Sequence, residues 1–402
     1  AQARYIEPLF NECPELYEQF SGFTFYENTV SFNGHTLLGS PPCFGGYEYT
    51  PEAINERKSE KLKDKTNEAL LLLPRIFTEQ GKNFSATVTD PSWANYSWIP
   101  DLSIYKDFPQ IKSHHTDAIY TDLWYKEHQD TANLNVVSST LKRNILWYGF
   151  FRISPLVLRP AFYNDGEYWS TNKANADYND YLDGYSVLEY LPRFTDFNSA
   201  TENTYTNLVN NSTHDNLFLQ APDYKPATSV TNYGTSEYAH QADYHSFAGA
   251  LKRIGEWLDY LKENDCYNNT RIVIVADHGA SSKESGYEWD NKFEKIGPGH
   301  YHPLLMYKDF DSEGKLVVNS DFMTNADGPT LLLNGIINEP KNPFTGKIID
   351  SSEKEKGALV CLSNIFMPYH NSGEYVHDTK KTDWYRVRDN IFKSSNWAQE
   401  EH

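Results

Sequence analysis

The 402-residue chain has no long apolar run, little cysteine or methionine, and too little positive charge to balance its negative charge. Its most leucine-rich stretch, Ala69-Leu70-Leu71-Leu72-Leu73, stops at Pro74 and Arg75. That is far short of the roughly 18 to 20 apolar residues that cross a bilayer. No signal peptide is present, and the chain opens on Ala1 rather than Met. It is therefore read as a fragment or processed form, with any membrane attachment in segments outside it. The four cysteines, Cys13, Cys43, Cys266 and Cys361, show neither CxxC pairing nor zinc-ribbon spacing. They leave one or two disulfides, or free buried thiols, open, and do not fix the compartment. Only 36 basic side chains stand against 55 acidic ones, a formal charge of −19. That balance excludes a nucleic-acid partner and a broad basic face for anionic lipid. An anionic substrate would have to be held by a metal and a few local cations.

Aromatics are what the chain has in excess: 29 Tyr, 22 Phe and 9 Trp. A chain so rich in rings is globular, because disordered segments lack the side chains that offset ordering entropy. The rings suit core and rim filling, and also a surface that handles sugars or lipid head groups. There is no internal repeat. Pro14 to Phe20 reads as helix, Phe23 to Tyr26 as strand, Asn33-Gly34 as a turn, and Glu68 to Phe77 as helix. The tract from Ala161 to Asp223, dense in Asn, Asp, Thr and Tyr, reads as long loops with short strands.

The clearest unit lies in the second half. Tyr244, Phe247, Leu251, Ile254, Trp257, Leu258 and Leu261 recur at three-and-four spacing, one apolar face of a helix. Ile272-Val273-Ile274-Val275-Ala276 follows as a β-branched run, predicting a strand buried on both faces. Asp277-His278-Gly279 stands at its C-terminal end, where open α/β sheets place ligands. A hard oxygen and an imidazole nitrogen together suit zinc or manganese, with magnesium as the alternative. Successive strand residues face opposite ways, so both reach one metal only where the strand breaks, at Gly279. Pro303 to Tyr307 predicts a neighbouring strand, and Asp327 with Pro329 opens a further helix. Beyond residue 340 the pattern predicts a small lobe of strands and a final helix.

The segment from Asn268 through Ile272-Val273-Ile274-Val275-Ala276 to Asp277-His278-Gly279 resembles that of the alkaline phosphatase and sulfatase superfamily. More narrowly it is similar to membrane-anchored phosphoglycerol and phosphoethanolamine transferases, including lipoteichoic acid synthases. Asn325-Ala326-Asp327-Gly328-Pro329-Thr330-Leu331 resembles a Pro-Thr helix of that family, and Phe25 to Pro41 its nucleophile segment. The resemblance implies a three-layer α/β domain of alkaline-phosphatase type over residues 1–340, with a mixed, mostly parallel sheet. Residues 341–402 would form a small α+β subdomain packed on it. It implies a threonine nucleophile at Thr36, a metal on Asp277, His278 and Thr36, and substrate histidines at His214 and at His300 or His302. Ser40 and Ser31 are lesser nucleophile candidates, and Arg152 and Arg159 candidate anion contacts. Relatives carry a further acidic ligand upstream of the threonine, at a distance that runs off the start of this chain. Sulfatases that mature a Cys or Ser to formylglycine need C/S-x-P-x-R. Cys43-Phe44-Gly45-Gly46 supplies neither the Pro nor the Arg, so that chemistry is not expected.

The expected activity is transfer of a phosphoryl-linked head group from a phospholipid donor to a glycan or lipid acceptor. It would proceed outside the membrane, through a phospho-threonine. Hydrolysis of a phosphoric or sulfuric ester on the same fold is one alternative, and a non-catalytic glycan-binding relic is the other.

Overall fold

The computed structural model describes residues 1–128, 143–163, 173–197, 203–280 and 286–401. The architecture is mixed α/β, and the chain divides into two units. The first comprises Ala1–His115, Thr195–Val209 and Gly255–His402; the second comprises Thr116–Phe194 and Asn210–Ile254. Residues 341–402 fall within the first unit. No described helix is long and apolar enough to cross a membrane.

In the first unit a four-stranded sheet is formed by β1 (Phe23–Tyr26), β6 (Ile272–Val275), β7 (Leu305–Lys308) and β8 (Val317–Asn319), in the order β6-β7-β1-β8. β1 alternates buried and half-buried residues, as a strand with one face on the core should. β7 runs antiparallel to both β1 and β6, whereas β1 and β8 are parallel. β6 is half-buried along its length rather than buried on both faces. The reason is its place: it is the outermost strand of this sheet and pairs only with β7. A β-branched run identifies a strand without telling an edge from a centre.

Parallel pairing recurs in β2 (Thr29–Val30) with β9 (Met323–Thr324). It recurs again in the sheet of β3 (Phe84–Thr89), β4 (Ile111–His114) and β5 (Asn203–Leu208), ordered β4-β3-β5. Helix Leu62–Thr78 packs on that sheet through Leu72, Leu73 and Phe77, and Phe77 stacks on Tyr205 at 5.1 Å. Pro74 sits inside this helix and cannot donate to the carbonyl of Leu70. The Tyr105 hydroxyl donates to that carbonyl instead, at 3.3 Å, so the helix continues.

The C-terminal residues form an antiparallel meander of β10 (Ala358–Cys361), β11 (Trp384–Val387) and β12 (Trp397–Glu400). Val360, Tyr385 and Trp397 share a core with Val30 and Phe32. The expected final helix is not found; the described chain ends in β12, pinned by two bonds from Arg386 to Glu400 at 2.7 and 2.9 Å. The four cysteines form no disulfide among the described residues, and Cys13, Cys43 and Cys361 are buried.

The second unit is largely helical where it is described. Part of the tract expected to be loops lies outside the described residues, but helix Lys173–Glu189 runs through it. Tyr181, Leu182, Tyr185 and Leu188 fall on one face and are buried. That face was hidden because tyrosine supplies much of its apolar surface.

Candidate active site

Four separate segments of the first unit build the site. Helix Thr36–Gly45 begins at Thr36, with His35 in extended conformation as its N-cap. The loop before it is clamped by Asn33, which is fully buried. Its side-chain amide donates to the carbonyls of Cys361 and Ser363 at 2.7 and 3.1 Å, and its oxygen accepts the N–H of His35 at 2.8 Å. Ser31 and Ser40 are both buried, and the Ser31 hydroxyl is used on the Asn33 carbonyl at 3.0 Å.

Two glycines allow the close approaches of the DHG loop, one to this helix and one to the segment at Gly299. A Cβ at Gly39 would stand 2.9 Å from the Asp277 carbonyl oxygen, and one at Gly279 would stand 2.0 Å from that of Gly299. Neither has a positive φ; both are needed for close approach. Asn325 ties the two pieces together, its buried amide donating to the carbonyls of Gly39 and Asp277 at 2.9 Å each. The start of the chain runs alongside. The Ala1 amine is 3.5 Å from the His278 carbonyl, and the Leu304 N–H donates to the Ala1 carbonyl at 3.1 Å.

At the centre, Thr36 Oγ1 lies 3.3 Å from His278 Nε2 and hydrogen-bonds the Asp277 carboxylate. Asp277 Oδ2 is 3.4 Å from the same nitrogen, and Oδ1 accepts the His278 N–H at 3.0 Å. His278 Nδ1–H donates to the Gly279 carbonyl at 2.6 Å, which leaves the Nε2 lone pair facing Thr36 and Asp277. Burial pushes the Asp277 carboxyl upward. His278, the terminal amine and the bonds from Thr36 and the His278 N–H outweigh it, so the group titrates below the usual carboxylate range.

This donor set has the spacing a small divalent cation requires. Donors held at about 2.1 Å with tetrahedral angles stand about 3.4 Å apart. The observed separations of 3.3 and 3.4 Å agree. Among the described residues, however, no group of three or more His, Cys, Asp or Glu is placed to hold a metal. Asp277, His278 and the Thr36 hydroxyl are the donors this site would offer a cation, and they would fill only part of its coordination shell.

Two more imidazoles adjoin this centre. His35 and His300 are half-buried, and burial followed by neighbouring imidazoles holds both below the usual histidine range. For His35 that neighbour is His278; for His300 they are His35 and His278. Asn364 hydrogen-bonds the His35 ring, and Phe366 lies 5.9 Å from it. Gly34 lets His300 in, since a Cβ there would stand 3.1 Å from the His300 Cβ. His35 is the residue the sequence reading missed. Its one signal was its position directly before Thr36.

The structure thus brings Thr36, Asp277, His278 and His300 together within the first unit, and sets His302 apart from them. His302 is 3% exposed, donates to the Glu27 carbonyl at 2.8 Å, and lies among Tyr287 and Phe392. Burial pushes it down to about 4. His214 belongs to the second unit, is exposed, and has its Nδ1 3.4 Å from Asp215. Cys43 is buried within the helix, with its thiol toward the carbonyls of Gly39 and Ala276.

Residues 159–330 match the family model described as Sulfatase. The match contains Asp277-His278-Gly279 and the Asn325–Thr330 segment, and ends short of Thr36 on the N-terminal side. No curated protein sequence matches the chain. Similar solved structures include an alkaline phosphatase superfamily protein from Vibrio parahaemolyticus, with 12% identity, 100% of this chain and 79% of that one covered, and a TM-score of 0.45. Another is the lipoteichoic acid synthase LtaP from Listeria monocytogenes, at 11% identity, 96% and 78% coverage, and 0.41. A third is a phosphonate monoester hydrolase from Silicibacter pomeroyi, at 13% identity, 97% and 83% coverage, and 0.42.

Proposed function

We propose that the chain moves a phosphoryl-linked head group through Thr36; supporting this are the match of residues 159–330 to the Sulfatase family model and the resemblance of its motifs to enzymes that cleave or transfer phosphate and sulfate esters. The observation that carries this reading is the triad of Thr36 Oγ1, His278 Nε2 and Asp277 within 3.4 Å at a helix N-terminus. Thr36 Oγ attacks phosphorus, forming an O–P bond as the bond to the donor alkoxide breaks. The Thr36 hydroxyl, which hydrogen-bonds Asp277, gives up its proton to solvent, and the departing alkoxide takes one up. The first turn of helix Thr36–Gly45 meets the phosphoryl oxygens with its N–H groups. His35 and His300, neutral near pH 7, donate hydrogen bonds to the same oxygens or to the leaving group. In the second half, an acceptor hydroxyl attacks the phospho-threonine and restores Thr36.

A divalent cation on Asp277, His278 and Thr36 would supply charge neutralisation and a lower pKa at the hydroxyl. Zinc or manganese suits these donors, with magnesium as the alternative. We read the donor as a phospholipid, the acceptor as a glycan or lipid, and the location as extracytoplasmic. The same geometry serves a hydrolase, with water in place of the acceptor.

The test compares wild type with Thr36→Ala on phosphatidylglycerol and phosphatidylethanolamine vesicles. Expected are diacylglycerol release by wild type, a phosphorylated Thr36 peptide by mass spectrometry, and loss of both in the variant. Undiminished turnover in Thr36→Ala would refute the nucleophile. Release of free head-group phosphate with no transfer to any acceptor would favour the hydrolase.

A further inference from the structure

The stretch from Arg143 to Tyr163, in the second unit, has three arginines, six aromatic residues and no Asp or Glu, although the chain carries 55 acidic side chains. It folds as a hairpin of two short helices, Tyr148–Ile153 and Arg159–Tyr163, joined by Ser154, Pro155 and the helical turn Leu156–Leu158. Arg159 fastens it, donating to the carbonyls of Ser154 and Arg152 at 3.2 and 3.3 Å and lying 5.5 Å from the Phe151 ring. Phe150 stacks on Phe162 between the two arms at 6.0 Å. What the hairpin holds out is aliphatic. Ile153 is 78% exposed, Leu156 77% and Val157 83%. Contiguous exposure of this kind marks a surface meant to be covered.

We propose that the tip Ile153–Leu158 inserts into the interfacial layer of an anionic lipid bilayer, with Arg152 and Arg159 at the level of the lipid phosphates. Helices of six and five residues are far too short to span a membrane and suit the interface instead. Aromatic rings and arginines beside an aliphatic tip are the composition that lies at that depth. Charge selects the occupant. A second copy of this chain would set the two acid-free, arginine-bearing hairpins against each other, whereas anionic head groups complement them. The chain as a whole, at −19, is repelled by the same surface, so binding is confined to this hairpin. The proposal does not rest on the phosphotransfer reading, because it is measured without turnover.

The experiment is flotation of the whole chain with vesicles of phosphatidylcholine plus phosphatidylglycerol, and of phosphatidylcholine alone. Wild type is expected to float with the anionic vesicles and to lose binding at high salt. Ile153→Asp with Val157→Asp should lower partitioning about tenfold or more, with an unchanged thermal melt, since both side chains are exposed. Arg152→Gln should lower it about fivefold on anionic vesicles and not at all on neutral ones. The proposal is overturned if wild type fails to float, or if wild type and the double variant float alike. It is also overturned if sedimentation shows a dimer that the double variant abolishes, which would assign the tip to a second copy.

Discussion

Replacing Gly39 by alanine tests whether the helix that bears Thr36 must touch the DHG loop. Gly39 is an ordinary helical residue, so by propensity alone the change should stabilise by about 1 kcal/mol. Against this, the added Cβ would stand 2.9 Å from the Asp277 carbonyl oxygen and 3.2 Å from that of Asn33. Both are backbone atoms, and the Asp277 carbonyl is further held by Asn325, so neither swings aside. Relief needs a few tenths of an ångström of separation between the helix and the loop. Overpacking of that kind costs about 1 to 3 kcal/mol, which cancels or exceeds the helical gain. The melting temperature should therefore stay level or fall slightly. Turnover is the sensitive readout, because displacement of a positioned nucleophile by about 1 Å costs about a hundredfold. A shift of a few tenths should lower kcat about tenfold and leave KM nearly unchanged. Diacylglycerol release from phosphatidylglycerol vesicles measures the first, and thermal denaturation the second. Gly149→Ala, in a helix where nothing lies within 4 Å, is the control that gains propensity alone. If Gly39→Ala matched that control in stability and kept full kcat, the close approach would have no role in placing Thr36.

Two further outcomes follow from buried groups around the site and behind it. Asn325→Ala strips one donor from each of the Gly39 and Asp277 carbonyls; Gly39 keeps the Cys43 thiol, so the cost falls mainly on Asp277. At about 1 to 3 kcal/mol per unsatisfied group, the melt should drop by several degrees and kcat with it. Asn325→Asp, which fits but repels the carbonyls, should not rescue either. His377 is 3% exposed with no partner for either ring nitrogen, and burial, then the Lys65 ammonium, pushes it down to about 3. Its folded value lies below the unfolded one of about 6.5. Its contribution is thus present above pH 6.5 and lost as pH falls toward 3. At pH 5 the loss is about 2 kcal/mol. Lys65, held down to about 8, stays charged throughout that window. The stability lost between pH 7 and 5 should shrink by about 2 kcal/mol in His377→Gln, with the loss from His302, held down to about 4, remaining; an unchanged pH dependence in the variant would refute the assignment.

The sequence was most legible where one period governed a segment. Helix Ala242–Glu263, β6 and the DHG loop were all evident, because apolar spacing and a β-branched run are local properties. The Asn33-Gly34 turn was also readable, and helix Thr36–Gly45 opens just after it. Properties set by partners distant in the chain were not. Whether β6 lay at an edge depended on β7 and its neighbours, some 30 residues on. His300 and His302 were indistinguishable by spacing. The helical turn Pro298–Tyr301 and the extended residue after it send them to different surroundings, one toward Gly34 and the other to Glu27. His35 had no pattern at all, since Asn364 and Phe366 reach it from more than 300 residues away.

The arrangement also bears on how so acidic a chain handles an anion. His35 and His300 are held neutral near pH 7, so they offer directed N–H groups without adding charge. Asp277, the carboxylate at the centre, is held ionised and adds a negative charge where an anion must arrive. The N-terminus of helix Thr36–Gly45 carries about half a positive charge, which offsets only part of that. On the proposed reading, a cation on Asp277 and His278 would supply the missing positive charge. Their 3.4 Å separation and the lone pair His278 keeps free make the protein's own geometry consistent with that requirement. The two asparagines, Asn33 and Asn325, then acquire a clear purpose. They fix nucleophile helix and ligand loop by neutral amide–carbonyl bonds, and so hold the site together without adding charge to it.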